Sequence, residues 1–368
     1  MWKTVKLGEI CHVQRGTTIT KKNTVDGVVP VIGGGTKPTY FHNEANREPG
    51  CITVSGSGAS AGFVNYWVSP IFASDCSTIE IKTNDLLQRF VYYFMQSQQQ
   101  YIYKNFRSGA AQPHVYAKDI ATLDLPVIPL SEQQRIIAKL DAAFAEIDGA
   151  IEAVAKSVDD VSRLLESKIT DYLSNQNCSR TLTLKDVCEA TQGVQIAKSN
   201  QSGEELDGYA RYLYISDFSH DKNIKYVKND YPKKTVFPTD IIVVNTGASA
   251  GKIFRGIPGI LSNNLFKVSP VEALINADFL YHFVNSLIFK KYQAQIMRGT
   301  ANPHMGHQNF LSTPIQLPEI SAQREIVEMV SCLLRHGETI QNAYIKKKIS
   351  LSSLKLAILK QELQSETA

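Results

Sequence analysis

Apolar residues recur alternately three and four positions apart through the middle of the chain. The series comprises Ile137, Leu140, Phe144, Ile147, Ile151, Val154, Val158, Val161 and Leu165. This spacing is typical of the buried seam of a left-handed coiled coil. Pro126 and Pro129 exclude an earlier helix, and Ser131 is a suitable N-cap with Gln134 at the capping-box spacing. The pattern predicts a long helix that begins at Ser131.

A second apolar series begins at Ser321, after Pro314 and Pro318. It comprises Ile326, Val330, Leu333, Ile340, Tyr344, Leu351, Leu354 and Ile358. Gly337 and Lys347 interrupt this series. The pattern therefore predicts a second long helix whose seam is less regular than that of the first.

The two predicted helices differ in charge. Residues 131–176 hold five Lys and Arg against nine Asp and Glu, whereas residues 321–368 hold seven against five. Since opposite charges attract, antiparallel packing of the two helices is the simplest arrangement, and we expect the lysines at 346–348 to face the acidic helix. A helix of about 40 residues is about 60 Å long, because each residue adds 1.5 Å.

The sequence that flanks these helices occurs twice. Gly-Ala-Ser-Ala-Gly stands at 58–62 and again at 247–251, and the segment 109–114 returns in altered form at 299–304. Each copy then continues through Ser-x-Gln-x-x-Ile into a predicted helix. The duplicated order predicts two related globular units, each followed by one long helix, with a pseudo-two-fold relation from internal duplication.

Short runs with strand-like patterns surround the repeated turns. Strands are predicted at 51–54, 77–81, 241–244 and 265–268, and shorter helices near 86–103 and 277–296. This mixture indicates the α+β class: two similar mixed α/β domains separated by two long antiparallel helices that form a coiled coil. The predicted boundaries are 1–130 for the first domain, 131–177 for the central helix, 178–320 for the second domain and 321–368 for the C-terminal helix.

The composition restricts the function only loosely. A chain of 368 residues is long enough for two or more domains, and its net charge of +4 is compatible with an acidic partner such as DNA. The six cysteines form no Cys-x-x-Cys pair and show no zinc spacing, which indicates reduced thiols. No signal peptide follows Met1 and no apolar run approaches the roughly 20 residues of a membrane span, so we expect a cytoplasmic protein.

Several segments resemble catalytic motifs but depart from them. The glycines of 56–62 are spaced one residue too widely for a dinucleotide fingerprint, and 247–253 is one residue short of a P-loop. Asp75 with 80–82 suggests an Asp…Glu-x-Lys nuclease site, but the second copy lacks these acids. Residues 302–305 are loosely similar to the Asn-Pro-Pro-aromatic loop of amino-methyltransferases. The corresponding residues 112–115 of the first copy do not resemble that loop. A tight turn with glycines at positive φ explains the glycine-rich segments better.

The run Leu125-Pro-Val-Ile-Pro-Leu-Ser-Glu-Gln-Gln-Arg-Ile-Ile-Ala-Lys-Leu-Asp141 resembles the entry to the central helix of type I restriction-modification specificity (S) subunits. The turn at 246–252 and the Gln/Asn-Pro-His turns are similar to those of the target-recognition domains of that family. The resemblance covers the whole chain, as domain, spacer helix, domain and spacer helix. The second copy departs from the pattern with Ala322 in the place of Glu132.

The resemblance implies a DNA specificity subunit without catalytic activity or a cofactor of its own. Such a subunit reads a bipartite, asymmetric target in double-stranded DNA, one half with each domain. It also recruits two methyltransferase subunits, which use S-adenosylmethionine to methylate adenine and in turn carry the motor–nuclease subunits. Two alternatives remain open from the residues alone: a coiled-coil adaptor that binds only protein, and a stand-alone DNA-modifying enzyme, either a methyltransferase or a nuclease.

The duplication also suggests which residues contact DNA. Residues identical in both copies cannot explain two different half-sites, so we place base readout in the divergent loops at 17–50 and 194–240. The candidates for base readout are Thr17, Thr18, Lys21, Lys22, Lys37, Tyr40 and Asn43 in the first copy, and Gln195, Lys198, Asn200, Gln201, Tyr212 and Tyr214 in the second. The candidates for phosphate contact, at or near the shared turns, are Ser57, Ser60, Arg107, Ser249, Lys252 and Arg298. A spacer of about 60 Å equals about 17 base pairs at 3.4 Å each, which permits half-sites about one helical turn apart.

Overall fold

The computed structural model describes residues 2–109, 111–174, 181–220, 222–247, 249–296 and 304–364. The chain divides into two compact units, one formed by Met1–Ala155 with Ile345–Ala368 and the other by Lys156–Tyr344. Each unit contains one mixed α/β domain and parts of two long helices, and each is described separately below.

The domain of the first unit contains two small sheets beside a helical layer. Its elements are β1 (Thr4–Lys6), α1 (Leu7–Ile10), β2 (Cys11–Arg15), β3 (Val29–Ile32), β4 (Tyr40–His42), β5 (Cys51–Ser55), β6 (Val64–Trp67), β7 (Phe72–Ala73), β8 (Cys76–Ile81), α2 (Gln88–Ser97), α3 (Gln99–Asn105), α4 (Ala117–Ile120) and β9 (Asp124–Pro126). One sheet has the antiparallel order β2-β8-β5-β6, and the other has the order β4-β3-β7 with β3 and β7 parallel. The pair β1-β9 brings the two ends of the domain together. The long helix α5 (Leu130–Ser174) follows.

The domain of the second unit repeats this arrangement. Its elements are β10 (Thr181–Thr183), β11 (Cys188–Gln192), β12 (Tyr209–Leu213), β13 (Tyr226–Lys228), β14 (Thr235–Val236), β15 (Ile241–Val244), β16 (Ile253–Arg255), β17 (Gly259–Leu261), β18 (Leu265–Pro270), α6 (Ala277–Asn285), α7 (Leu287–Ile296), α8 (His307–Leu311) and β19 (Pro314–Gln316). The sheets have the orders β11-β18-β15-β16 and β13-β12-β17-β14, with β12 and β17 parallel. The long helix α9 (Ile320–Gln364) follows. The shared strand orders confirm the internal duplication and the mixed α/β fold.

The two cores are built by the same pattern of apolar residues. In α2, Phe90, Val91, Phe94 and Met95 are buried, at the spacing that places them on one face of a helix. In α6, the residues at the same relative positions, Phe279, Leu280, Phe283 and Val284, are buried too. Each such side chain contributes about 1.5–3 kcal/mol when it leaves water, so this face fixes the helix on its sheet.

The long helices pack against each other within each unit. In the first unit, Lys139 Nζ lies 2.6 Å from Glu362 Oε1, and Lys355 Nζ lies 2.7 Å from Asp148 Oδ2. Positions therefore rise along α5 as they fall along α9, which confirms antiparallel packing there. The seam residues Leu140, Phe144, Ile147 and Val154 are buried, as the periodicity predicts.

The second unit shows the same direction of packing. Gln341 Nε2 donates to Ser162 Oγ over 2.9 Å, and Gly337 packs against Leu165. The lysines at 346–348, which belong to the first unit, are exposed. Our expectation that they face the acidic helix is wrong for the described residues, because the ion pairs between α9 and α5 are made by Lys355 and by the acid Glu362.

Candidate DNA interface

In each domain a divergent loop and the repeated turn leave from the same end of one sheet. This sheet is β2-β8-β5-β6 in the first domain and β11-β18-β15-β16 in the second. In the first domain β2 and β5 are both antiparallel to β8 and flank it, so their carboxyl ends lie side by side. The loop 16–28 leaves from β2 and the turn 56–63 from β5. In the second domain β11 and β15 flank β18 in the same way. We call this edge the loop end of each domain.

The repeated Gly-Ala-Ser-Ala-Gly segment forms the same tight turn in both copies. Gly58 and Gly62 have φ values of +79° and +84°, and Gly247 and Gly251 have +88° and +82°. The last glycine donates its backbone N–H to the end of the preceding strand, over 2.7 Å to the Ser55 carbonyl in the first copy. Because this region of φ favours glycine, the prediction of a strand–turn–strand with positive φ is confirmed.

The second repeated motif packs directly on this turn. In the first domain Gly58 N–H donates to the Pro113 carbonyl over 2.9 Å, and Val115 N–H donates to the Gly56 carbonyl over 3.0 Å. In the second domain Met305 N–H donates to the Asn245 carbonyl over 2.8 Å. The structure thus joins two motifs that are about 50 residues apart in the sequence. Residues 299–303 lie outside the described residues.

The candidates for phosphate contact in the first domain also hold the turn together. Ser57 Oγ donates to the Asp75 carboxylate, and Arg107 Nε donates to the Ala61 carbonyl over 2.7 Å. The Arg107 guanidinium stacks 3.9 Å from the centre of the Tyr103 ring. These contacts fix the turn at the loop end, while Ser60 is only half-buried. In the second domain Ser249 is half-buried and Lys252 is exposed at the same turn, and Arg298 lies outside the described residues.

Most candidates for base readout are exposed at the loop end or in the loops that continue from it. The exposed ones are Thr17, Thr18, Lys21, Lys22, Lys37, Asn43, Gln195, Lys198 and Asn200, and Tyr40, Gln201 and Tyr214 are half-buried. The Lys37 loop lies against the turn, since Ser55 Oγ donates to the Gly35 carbonyl over 3.0 Å. These positions are accessible to a ligand, and their role in base readout remains a prediction.

Tyr212 does not fit the role that we predicted for it. Only 2% of this residue is exposed, and its hydroxyl donates to the Val194 carbonyl over 2.6 Å. Burial raises the pKa of the Tyr212 phenol, so the neutral form that donates this bond is favoured. In the first domain the Tyr40 hydroxyl donates to the Ile19 carbonyl. Both tyrosines therefore tie a variable loop to its sheet.

Gln201 and Tyr214 form a second tie in the second domain. Tyr214 Oη donates to Gln201 Oε1 over 2.9 Å, and Gln201 Nε2 donates to the Ile196 carbonyl over 2.9 Å. Tyr214 also packs edge-on against Tyr212, with ring centres 4.9 Å apart. This network positions the loop 194–208 rather than leaving it to solvent.

A pair of glutamines that the sequence analysis did not single out connects each domain to its long helix. Gln133 is 1% exposed: its Oε1 accepts from Leu87 N–H over 2.8 Å, and its Nε2 donates to the carbonyls of Asp85 and Ile128. Gln323 is 0% exposed and repeats these three bonds with its own domain. The sequence contains a signal for this link, because a glutamine stands at the same place in Ser-x-Gln-x-x-Ile of both copies.

The departure at Ala322 leaves this link intact. The corresponding Glu132 pairs with Arg135 at 2.8 Å on the first turn of α5, and both side chains are at least one-third exposed. Exposed pairs of this kind contribute little to stability, typically below about 1 kcal/mol. The two helix starts are therefore equivalent where they contact the domain, and they differ only at the surface.

The acidic residues considered for a nuclease site do not converge. Asp75 accepts a hydrogen bond from Ser57, Glu80 pairs with Arg47 at 3.2 Å, and Lys82 Nζ donates to the Gly8 carbonyl over 2.7 Å. Within the described ranges, no group of three or more His, Cys, Asp or Glu side chains could hold a metal ion. In the same part of the chain, no helix combines the length and apolar character needed to cross a bilayer.

Comparison with known proteins agrees with this architecture. The model of the type I restriction modification DNA specificity domain matches residues 1–156 and 179–350. The chain is 22% identical over 390 residues to the type I restriction enzyme MjaVIII specificity subunit of Methanocaldococcus jannaschii, a match that covers 95% of this chain and 91% of that protein. It is 19% identical to the type I restriction enzyme EcoDI specificity subunit of Escherichia coli, with 99% of this chain and 88% of that protein covered.

Solved structures show the same fold. A chain from a study of complex assembly and conformational transition of the type I R-M system superimposes with a TM-score of 0.74 at 16% identity, covering 98% of this chain and 97% of that one. The HsdS subunit from Thermoanaerobacter tengcongensis gives a TM-score of 0.53 at 16% identity, covering 99% and 97%. With the duplicated domains, the paired helices and a family match over most of the chain, this protein belongs to the type I restriction-modification DNA specificity family, and its role is non-catalytic DNA specificity.

Proposed function

We propose that this chain reads a bipartite, asymmetric target in double-stranded DNA, with the loop end of each domain on one half-site. The observation that carries the proposal is a duplicated scaffold with divergent loops at one edge. The sheets β2-β8-β5-β6 and β11-β18-β15-β16 have the same strand order and carry the same turn, whereas 42 positions separate Gly16 from Gly58 and 54 separate Gly193 from Gly247. A common frame with different loops gives two related domains two different specificities.

The side chains at the loop end suit this task. Thr17 and Thr18 in the first domain, and Gln195 in the second, are exposed there and can pair with the edges of bases. Asn43 is also exposed and follows β4 in the same variable region. At the shared turn of the second domain Lys252 is exposed and can neutralise a phosphate. The ties made by Tyr40 and Tyr212 hold these loops in place before DNA arrives, which lowers the entropy cost of binding.

A matched pair of loop variants tests this assignment in the complex with a methyltransferase subunit. Replacing Thr17, Thr18 and Asn43 together by alanine is expected to relax the base preference in one half-site and to leave the other unchanged. Replacing Gln195 by alanine is expected to affect the opposite half-site. The readout is adenine methylation across a library of DNA targets. Equal loss in both half-sites, or no change in either, would contradict the assignment.

The chain is also proposed to recruit two methyltransferase subunits, and through them the motor–nuclease subunits. S-adenosylmethionine is then bound by those partners. In the first unit Ile345, Ile349 and Leu356 of α9 are 51%, 62% and 44% exposed and lie close together on one helical face. Exposed apolar residues in such a row favour a protein partner, and a methyltransferase subunit is the partner that the family role requires.

Charge substitution on this face tests the recruitment. Ile349→Glu is expected to reduce co-purification of the methyltransferase subunit at least tenfold, because a carboxylate would be buried in an apolar contact. Lys348→Glu is the matched control, since this neighbouring residue is exposed and changes charge in the same direction. Equal binding by both variants would exclude this face as the docking site.

A further inference from the structure

We propose that Lys21 and Lys198 are equivalent phosphate-contact residues, which position each domain on the DNA backbone and do not read bases. The inference rests on the proposed function, because it assumes that the loop end of each domain meets DNA. It also changes the role that the loop position alone gives these lysines, from base readout to backbone contact.

The segments that carry the two lysines match in sequence within otherwise divergent loops. Residues 16–23 read Gly-Thr-Thr-Ile-Thr-Lys-Lys-Asn, and residues 193–200 read Gly-Val-Gln-Ile-Ala-Lys-Ser-Asn. Gly, Ile, Lys and Asn recur at the same intervals, whereas the four other positions differ. A shared Lys in a region that has otherwise diverged needs an explanation common to both domains.

The backbone places the two segments identically relative to their sheets. Gly16 N–H donates to the carbonyl of Cys76, the first residue of β8, and Gly193 N–H donates to that of Leu265, the first residue of β18, over 2.8 and 2.9 Å. Thr17 N–H donates to the carbonyl of Ala73, the last residue of β7. In the same way Val194 N–H donates to the carbonyl of Leu261, the last residue of β17. Each segment then forms a single 3₁₀ turn, at Lys21–Asn23 and Lys198–Asn200. The two lysines therefore occupy equivalent places.

Folding explains the shared Gly and Ile but not the shared Lys. A Cβ at Gly16 would lie 2.5 Å from the Ala73 carbonyl oxygen, and one at Gly193 would lie 2.0 Å from that of Ser262. Ile196 is 9% exposed and belongs to the core, and its counterpart Ile19 is half-buried. Lys21 and Lys198 are exposed, and within the described part of the chain neither ammonium group makes a hydrogen bond or ion pair. Their identity is therefore available for a ligand.

The phosphate backbone is the feature that two different half-sites have in common. A residue that is the same in both domains cannot account for a difference in base sequence, but it can bind a feature present in every duplex. Lysine is a long, flexible, strongly hydrated cation that binds phosphate as a point charge. The loop end also carries the candidates for base readout, so a backbone contact there would fix their register. Asn200 is likewise a candidate for backbone contact, because Asn23 occupies the matching position in the first domain.

The experiment uses the complex of the full chain with its methyltransferase subunit. Binding of Lys21→Ala, Lys198→Ala and the double variant is measured across a range of salt concentrations, on the methylated target and on DNA with one half-site altered. Each alanine is expected to weaken binding to both DNAs by the same factor. Each is also expected to lower the slope of log affinity against log salt by about one unit. Lys21→Arg should retain both, since it keeps the charge.

The neighbouring position supplies the control. Lys22 is exposed in the same turn, but its counterpart is Ser199, so the two copies differ there. Lys22→Ala is expected to weaken binding to the intact target more than binding to DNA in which the half-site of the first domain is altered. A changed base preference for Lys21→Ala, or an unchanged affinity and salt slope, would overturn the inference. Absence of sequence-specific binding by the unmodified complex would instead remove the proposed function itself.

Discussion

Single buried side chains determine how each domain is joined to its long helix. Gln133 and Gln323 each satisfy one N–H and two carbonyl groups of the backbone, and neither is exposed by more than 1%. Buried polar groups of the backbone are costly when they lack partners. One residue type at one motif position therefore links the start of each long helix to its domain.

Removal of this glutamine is expected to destabilise the protein measurably. Gln133→Ala leaves Leu87 N–H and two carbonyls without their partner, so the free energy of unfolding should fall by about 1–3 kcal/mol. Denaturant unfolding gives the value. Gln134→Ala is the control, because Gln134 is exposed and should change stability by less than about 0.5 kcal/mol. Equal effects of the two substitutions would disprove the role of Gln133.

The cysteines should differ sharply in reactivity. Burial raises the pKa of the Cys11 thiol to about 11 and those of Cys51, Cys76 and Cys188 to about 12. Since the thiolate is the reactive form, these four should resist iodoacetamide from pH 7 to pH 9, whereas the exposed Cys332 should be alkylated. Peptide mapping by mass spectrometry checks each site. Alkylation of Cys51 at the rate of Cys332 would show that the first sheet opens in solution.

The long helices are the elements that the sequence predicts best. The structure begins α5 at Leu130 and α9 at Ile320, one residue before each predicted start, because the apolar seam and the prolines act locally. The prediction of Ser131 as the N-cap is wrong, because Ser131 lies inside α5 and the first free N–H groups, those of Glu132 and Gln133, donate to the Pro129 carbonyl. The second sheet of each domain was not predicted, because its strands lie in the divergent loops and pair across long distances. Tyr212 was misassigned for the same reason: its partner Val194 is 18 residues away, and no local pattern reveals that bond.

The interruption of the second apolar series also has a structural cause. A Cβ at Gly337 would lie 2.3 Å from Leu165 Cδ1, so this glycine admits the leucine of the facing helix. Gly149 in α5 differs, because a Cβ there would meet nothing within 4 Å. A glycine that looks like a defect in the pattern is therefore a site of close helix packing.

These two glycines form a matched pair for a stability test. Gly149→Ala should raise the free energy of unfolding by about 0.5–1 kcal/mol, because alanine favours a helix. Gly337→Ala should instead lower the free energy of unfolding, since the added methyl group meets Leu165. Adding Leu165→Ala to Gly337→Ala should remove the clash. Thermal unfolding compares the variants, and equal stabilisation by both alanines would contradict the packing.

At the scale of the whole molecule, we predict that the length of α5 and α9 sets the distance between the two half-sites. Each helix has 45 residues, and each added heptad lengthens a helix by about 10 Å. Adding one heptad to both helices is expected to increase the number of base pairs between the half-sites by about three, with both half-sites unchanged. The methylated motif of cells that carry the variant gives the spacing. An unchanged spacer would show that the helices do not set it.

The central claim is that the two domains read the two halves of one DNA target. The methylome of cells that carry the partner methyltransferase, with and without this chain, tests that claim most directly. The account predicts methylated adenines in a motif of two different half-sites at a fixed separation, and the loss of that methylation without the chain. Methylation that persists without the chain, or a single continuous motif, would contradict it.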